Sequence, residues 1–242
     1  MSGPYDKAFY DAHTDGSLRS ARAVVPIVLD KVRVRSVADF GCGEGAWLLA
    51  FQENGVSRLR GFDGDYVDRD RFAIDPSAFT STDLSTVVEV DGPYDLAISL
   101  EVGEHLPTKR AENLVESLAA AAPLILFSAA IPGQGGTNHI NEQWPAFWES
   151  KFNRRGYLKI DCIRPRILGR TDVQWWYRQN VVMYATQAQI DAHESLRLDR
   201  QATVDSGLEY ISSDVLANNS CFSYLLRATW RTGINAVRRR FA

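Results

Sequence analysis

Residues 37–45 read VADFGCGEG, with glycines at the alternate positions 41, 43 and 45 directly after a short apolar run. Few arrangements require that pattern. A strand that meets a helix through such a turn needs glycine because the turn is tight and because a ligand must approach bare backbone. The segment that follows, residues 46–54, carries helical periodicity and stops at Gly55, a residue suited to a left-handed cap. The first N–H groups of that helix have no partner within it and face whatever sits in the turn. The chain therefore opens an α/β unit with a ligand at its strand-to-helix junction.

The remaining pattern repeats that unit. Leu18, Ala21, Val24, Val25 and Val28 recur at helical spacing across residues 17–32. Apolar runs at 36–40, 59–62, 78–82, 94–100, 124–130, 157–163 and 181–186 read as seven strands. Helical segments are predicted at 108–122 and 145–154, the first ended by Pro123. Residues 94–100 and 124–130 are apolar on both faces, the mark of strands buried in a parallel sheet. Alternation of this kind predicts a doubly wound α/β sheet with helices on both faces. With 242 residues, 45% of them hydrophobic, one core is expected. Residues 1–186 form the predicted domain, and 187–242 a helical C-terminal extension.

Composition narrows the partners. The net charge of −3 argues against general nucleic-acid binding, which needs a basic surface. No apolar run approaches the roughly 18 residues of a membrane span. Residues 1–12 lack the basic-then-apolar order of a secretory signal. Cys42, Cys162 and Cys221 are odd in number and widely spaced, which fits a reducing, cytoplasmic compartment.

The glycine turn alone leaves its ligand open. Gly41, Gly43 and Ala46 also satisfy the looser dinucleotide pattern, and Asp63 could hold a ribose of either ligand. A structural turn flanked by solvated acids is the plainer alternative. Asp39 discriminates between the ligands. A carboxylate two residues before the first glycine repels a pyrophosphate and attracts an ammonium or sulfonium. Asp83, at the end of the next strand, offers an acceptor to an exocyclic amine. Together, Asp39-x-Gly41-x-Gly43-x-Gly45, Asp63, Asp83-Leu84 and the strand ending Ser99-Leu100-Glu101 resemble the successive binding motifs of class I S-adenosylmethionine-dependent methyltransferases, over roughly residues 20–186.

That resemblance implies a seven-stranded sheet, mostly parallel, whose last strand (181–186) runs antiparallel. It also implies that Asp39, Gly41, Cys42, Gly43 and Gly45 cradle the methionine part of the cofactor. Asp63 with Gly64 would hold the ribose, Asp83 with Leu84 the adenine, and Leu100 and Glu101 would line the same site.

Two segments should stand at the carboxyl ends of the strands, where ligands of open α/β sheets bind: 101–106 (EVGEHL) and 135–142 (GGTNHINE). Methyl transfer to oxygen needs a hydroxyl that loses its proton, and histidine suits that as a general base. His139 is the preferred base because it follows a glycine loop, with His105 and Glu104 as further catalytic candidates. His13 and His193 are not tied to either segment. Glu101, Glu104, His105 and His139 could instead hold one divalent ion, and mixed oxygen and nitrogen ligands suit Mg²⁺ or Mn²⁺. The E-x-x-E-H run with a later histidine resembles the metal set of the small-RNA 3′-end 2′-O-methyltransferases and of the ubiquinone-pathway O-methyltransferases.

Asn138, Asn141, Trp175, Trp176, Tyr177 and Arg178 combine aromatic, amide and guanidinium groups and are the candidate acceptor surface. Such groups suit sugars, and the whole resembles bacterial glycan-modifying methyltransferases. The expected reaction is O-methylation of a carbohydrate or other polar small molecule. An N-methyltransferase, a nicotinamide oxidoreductase and a non-catalytic cofactor-binding module remain open. Residues 225–242 carry five arginines, no acid, and an apolar stripe at helical spacing, which fits peripheral contact with an anionic membrane face.

Overall fold

A computed structural model describes the backbone of residues 7–206 and the side chains of residues 16–205. The chain runs α1 (Lys7–Lys31), β1 (Ser36–Phe40), α2 (Ala46–Glu53), β2 (Arg58–Asp63), β3 (Phe79–Ser81), β4 (Leu96–Leu100), α3 (Ala111–Ala121), β5 (Leu124–Ser128), α4 (Pro145–Asn153), β6 (Tyr157–Ile160), α5 (Arg164–Ile167), α6 (Trp175–Asn180), β7 (Val182–Thr186), α7 (Gln187–Ala192) and α8 (Glu194–Ser206). All seven predicted strands form.

They make one sheet in the order β3-β2-β1-β4-β5-β7-β6. Strands β1 to β5 pair in parallel, while β7 inserts between β5 and β6, antiparallel to both. This is the Rossmann-like arrangement the resemblance implied. The order places the site. From β1 the chain winds outward through β2 and β3, then returns to lay β4 on the other flank of β1. The turns leaving β1 and β4 therefore diverge and open a crevice at the carboxyl edge.

Both sheet faces are covered. Alternation along the strands sends Ala38 and Phe40 toward α3 and α4, and Val37, Leu96 and Ile98 toward α1, α2 and the later helices. Phe40, Phe51, Leu48, Ile98 and Leu126 are fully buried, each worth about 1.5–3 kcal/mol of transfer free energy.

Two boundaries differ from the sequence reading. Helix α1 begins at Lys7 rather than near residue 17, since its first turns lack the apolar repeat that marks a helix in sequence. Residues 187–206, assigned to the extension, dock on the sheet. Leu196 is fully buried, the Ser195 hydroxyl donates to the Lys31 carbonyl at 3.0 Å, and Asp161 N donates to Thr203 Oγ1 at 2.9 Å. Residues 207–242, with Cys221 and the predicted basic helix, lie outside the described residues. Among the described residues no helix is long and apolar enough to cross a membrane.

Candidate active site

The glycine elbow after β1 is built as its sequence requires. Gly41 N and Cys42 N both donate to the Phe62 carbonyl, at 2.7 and 3.3 Å, which ties the turn to β2. Gly41, Gly43 and Gly45 have φ of +91°, +51° and +81°, the left-handed region that favours glycine. The three positions differ in what a side chain would meet. A Cβ at Gly41 would lie 2.2 Å from Val102 Cγ2, and one at Gly45 2.9 Å from the Phe72 ring. At Gly43 nothing stands within 4 Å, so this residue faces open space at the crevice.

The acids of the elbow divide into satisfied and unsatisfied. Asp63 Oδ2 accepts from Gly43 N at 2.8 Å, while its Oδ1 accepts from Gly64 N at 2.7 Å and from the Tyr66 hydroxyl. Asp63 thus sets the elbow as well as facing it. Asp39 is 3% exposed, and its Oδ2 has no hydrogen-bond partner. Burial, and then the charge of Asp63, hold the Asp39 carboxyl well above the usual carboxylate range. Asp83 is exposed and accepts from Ser85 N at 2.8 Å, a bond that lowers its pKa. Leu84, next to it in the chain, and Leu100, at the end of β4, are buried. Burial, with Asp39 and Asp63 nearby, pushes the Cys42 thiol far up, so it is an inert wall of the turn.

Across the crevice, Glu101 leaves β4 with φ +57°. A residue with a Cβ held there costs about 1–2 kcal/mol, a strain characteristic of functional turns. Its N–H donates to the Ser128 carbonyl at 3.0 Å. Gln134 Nε2 donates to its Oε2 at 2.8 Å and Asn180 Nδ2 to its Oε1 at 3.1 Å. The two amides also bond each other, Asn180 Nδ2 to Gln134 Oε1 at 2.8 Å. Burial raises the Glu101 pKa, and the bonds from Ser128, Asn180 and Gln134 offset part of that.

Glu104 is fully buried, and neither carboxylate oxygen has a hydrogen-bond partner. Burial first, and then the charge of Glu101, raise its pKa well above normal. The rings of His105 and His139 meet edge to face with centroids 4.9 Å apart. Burial, and then His139, lower the His105 pKa, opposed by a hydrogen bond to the Asn138 backbone. One ligand atom each from Glu104, His105 and His139 falls within 4.8 Å of the others. An orphaned buried carboxylate facing two imidazoles fits a divalent cation.

The structure revises the grouping predicted from sequence. Of the four residues in the predicted metal set, Glu104, His105 and His139 bring ligand atoms within 4.8 Å of one another, while the Glu101 carboxylate accepts from Gln134 and Asn180. Two of the predicted acceptor residues belong to the interior. Asn141 is 2% exposed, accepts from Thr108 Oγ1 and Gln143 Nε2, and donates to the Gly103 carbonyl, which uses its amide on three loops. The Tyr177 hydroxyl lies 3.3 Å from Ser17 Oγ and accepts from Trp47 Nε1 at 3.4 Å, bracing α1 and α2 against α6. Trp175 and Trp176 are half-buried on α6, edge to face, and Arg178 donates to the Leu168 carbonyl at 3.2 Å. Asn138 stays exposed beside the histidines, with φ +59°.

Sequence reasoning passed over Gln134 and Ser128, which with Asn180 fix Glu101, and Glu142, which contacts His139. Gln134 lies among the glycines of the 133–136 loop and Glu142 three residues after His139, and only that proximity could have singled them out.

A family model described as a methyltransferase domain matches residues 10–161. No curated protein sequence matches the chain. Among solved structures, the chain is similar to magnesium protoporphyrin IX methyltransferase (ChlM) from Synechocystis PCC 6803 with bound SAH. The identity is 18% and the TM-score 0.52, over 77% of this chain and 90% of that one. An O-methyltransferase family protein from Burkholderia thailandensis matches at 14% identity and TM-score 0.55, over 75% and 60% of the two chains. SAM-bound CalS10, an amino pentose methyltransferase from Micromonospora echinaspora, matches at 12% and 0.53, over 77% and 100%. At these identities the likeness is one of fold.

Proposed function

This chain belongs to the methyltransferase-domain family, and from that premise we propose that it is an S-adenosylmethionine-dependent O-methyltransferase acting on a hydroxyl of a carbohydrate or other polar small molecule. The observation that carries the cofactor is the orphaned Asp39 carboxylate beside the open face of Gly43. A buried acid without a partner is a cost to the fold, and the ammonium of a methionine moiety would supply the missing donor. The same carboxylate disfavours the pyrophosphate of a nicotinamide dinucleotide.

S-adenosylmethionine, when bound, supplies the electrophilic methyl. The protein's own groups would do the rest. The bare Gly43 backbone admits the methionine part, the Asp63 carboxylate the ribose hydroxyls, and Asp83 with Leu84 the adenine. The left-handed turn at Glu101 sets the wall between cofactor and acceptor. His139 would accept the proton of the acceptor hydroxyl as methyl transfer proceeds. In the alternative role for that same imidazole nitrogen, Glu104, His105 and His139 would hold a divalent ion, Mg²⁺ or Mn²⁺, whose charge would lower the pKa of a coordinated hydroxyl, so that no protein base is required. The carbohydrate assignment draws support from the amino pentose methyltransferase of the same fold and from the half-buried Trp175 and Trp176.

Turnover assays with S-adenosylmethionine and a panel of polar hydroxylated acceptors test this reading, with and without EDTA. Methyl ether products are expected, with activity lost to EDTA and restored by Mg²⁺ or Mn²⁺. Full activity in EDTA would remove the metal. Binding of NAD in preference to S-adenosylmethionine would remove the whole assignment.

A further inference from the structure

Glu142 lies outside every role described so far, and its carboxylate has three polar contacts. Oε2 accepts from Gly133 N at 2.7 Å. Oε1 accepts from Gly135 N at 2.7 Å and lies 3.1 Å from His139 Nδ1. The side chains are 12% and 20% exposed for His139 and Glu142. On its other side the His139 ring lies against bare backbone. A Cβ at Gly136 would fall 2.3 Å from His139 Nε2 and 2.5 Å from Cε1. The glycine loop 133–136 and Glu142 therefore form a socket around one imidazole.

We infer that Glu142 is a positioning residue that fixes both the orientation of His139 and its tautomer, with the proton on Nδ1 and the lone pair on Nε2. The chemistry of the contacts requires this. Two backbone N–H donors, one on each carboxylate oxygen, hold Glu142 as an acceptor on both. A neutral imidazole that approaches such a carboxylate through Nδ1 must carry its proton there. Nε2 is then the nitrogen left for Glu104 and His105, with its lone pair available to a proton or a cation. A carboxylate behind a ligating or basic histidine is a general device for fixing ring and tautomer. Loop and ring are coupled, because the same carboxylate clasps both.

What the tautomer serves rests on the proposed function, while the tautomer itself can be read without it. The experiment is long-range ¹H–¹⁵N NMR on the full chain with labelled histidine. His139 is identified by comparison with a His139→Gln sample, and spectra are recorded in the neutral-imidazole range. The wild type is expected to show the Nδ1–H form at His139. In Glu142→Ala the acceptor at Nδ1 is removed, so the preference for Nδ1–H should be lost and the Nε2–H form should become the main species. Affinity for Mn²⁺, read by electron paramagnetic resonance, should fall about 10- to 100-fold, and affinity for S-adenosylmethionine should change less than about twofold. An Nε2–H wild-type His139 overturns the inference even if the variant does not fold. So does an unchanged tautomer in Glu142→Ala. A tautomer that shifts as expected while turnover and Mn²⁺ binding stay unchanged upholds the positioning role, and it refutes instead the part given to His139 in the proposed reaction.

Discussion

Replacing Asp39 by asparagine should move stability and cofactor affinity in opposite directions. The Asp39 carboxylate is 3% exposed and its Oδ2 lacks a protein partner. Burial, then the Asp63 charge, raise its pKa, so the folded state holds this proton more tightly than the unfolded chain does. The sign of the linkage follows. The protonated form carries no penalty below the unfolded carboxylate pKa, and a destabilising cost grows as pH rises through the higher folded value. At neutral pH the fold therefore works against this charge. An unsatisfied buried polar group costs about 1–3 kcal/mol. Asparagine keeps a polar amide in place, so the gain on substitution belongs at the low end, about 1 kcal/mol, or roughly 2–4 °C in Tm for a chain of this size. Affinity should move the other way. A charge-assisted hydrogen bond to an ammonium is worth about 1.5–3 kcal/mol, so S-adenosylmethionine should bind roughly 10- to 150-fold more weakly. Differential scanning calorimetry without ligand at pH 4 and pH 7.5, beside isothermal titration with the cofactor, reads both. The stability gain should appear at pH 7.5 and shrink at pH 4. A variant that loses stability and binds the cofactor as the wild type does would refute the reasoning, because Asp39 would then have an internal partner and no part in the ligand.

Gly43→Ala tests the open face of the elbow. The φ of +51° costs an alanine about 1–2 kcal/mol, yet its methyl meets nothing within 4 Å, so the protein should fold with Tm roughly 3–6 °C lower while cofactor affinity falls tenfold or more. Unchanged affinity by titration would place the ligand elsewhere. Glu112, whose pKa drops to about 2 through Arg155 and Lys151, anchors α3 to α4. Its side chain is 37% exposed, so screening limits the pair network to about 1 kcal/mol. That contribution is complete above the unfolded carboxylate pKa and is lost as pH falls through about 2. Glu112→Gln should accordingly lower Tm at pH 7 and match the wild type near pH 2, and an equal deficit at both values would disprove the ionic origin.

The fold was legible because its determinants are local. Each strand announces itself by a short two-sided apolar run, and the crevice follows from the order in which such runs alternate with helices. The glycine elbow was legible for the same reason: positive φ at 41, 43 and 45 is a property of the residue type. The divide between Glu101 and Glu104 was not. Both are acids at the end of β4, three residues apart, and nothing in their spacing says that one is bound by two amides while the other is left bare. That difference comes from Gln134 and Asn180, brought in by a glycine loop and by the end of α6. Asn141 and Tyr177, candidates for the acceptor surface, show the converse. Their polar groups suit a ligand, but partners from distant segments had already engaged them.

Sequence therefore reveals which polar groups stand near a crevice, and tertiary packing decides which of them are left unsatisfied. Catalysis and binding draw on the unsatisfied ones. A fold ordinarily satisfies the polar atoms it encloses, because each lapse costs it stability. Asp39 and Glu104 are two such lapses, the first on β1 two residues before an elbow with open space at Gly43, the second beside two imidazoles. Under the proposed function the first would meet a cation on the cofactor and the second a cation at the acceptor. On that account the ligands restore what folding left incomplete, and both should raise Tm when bound.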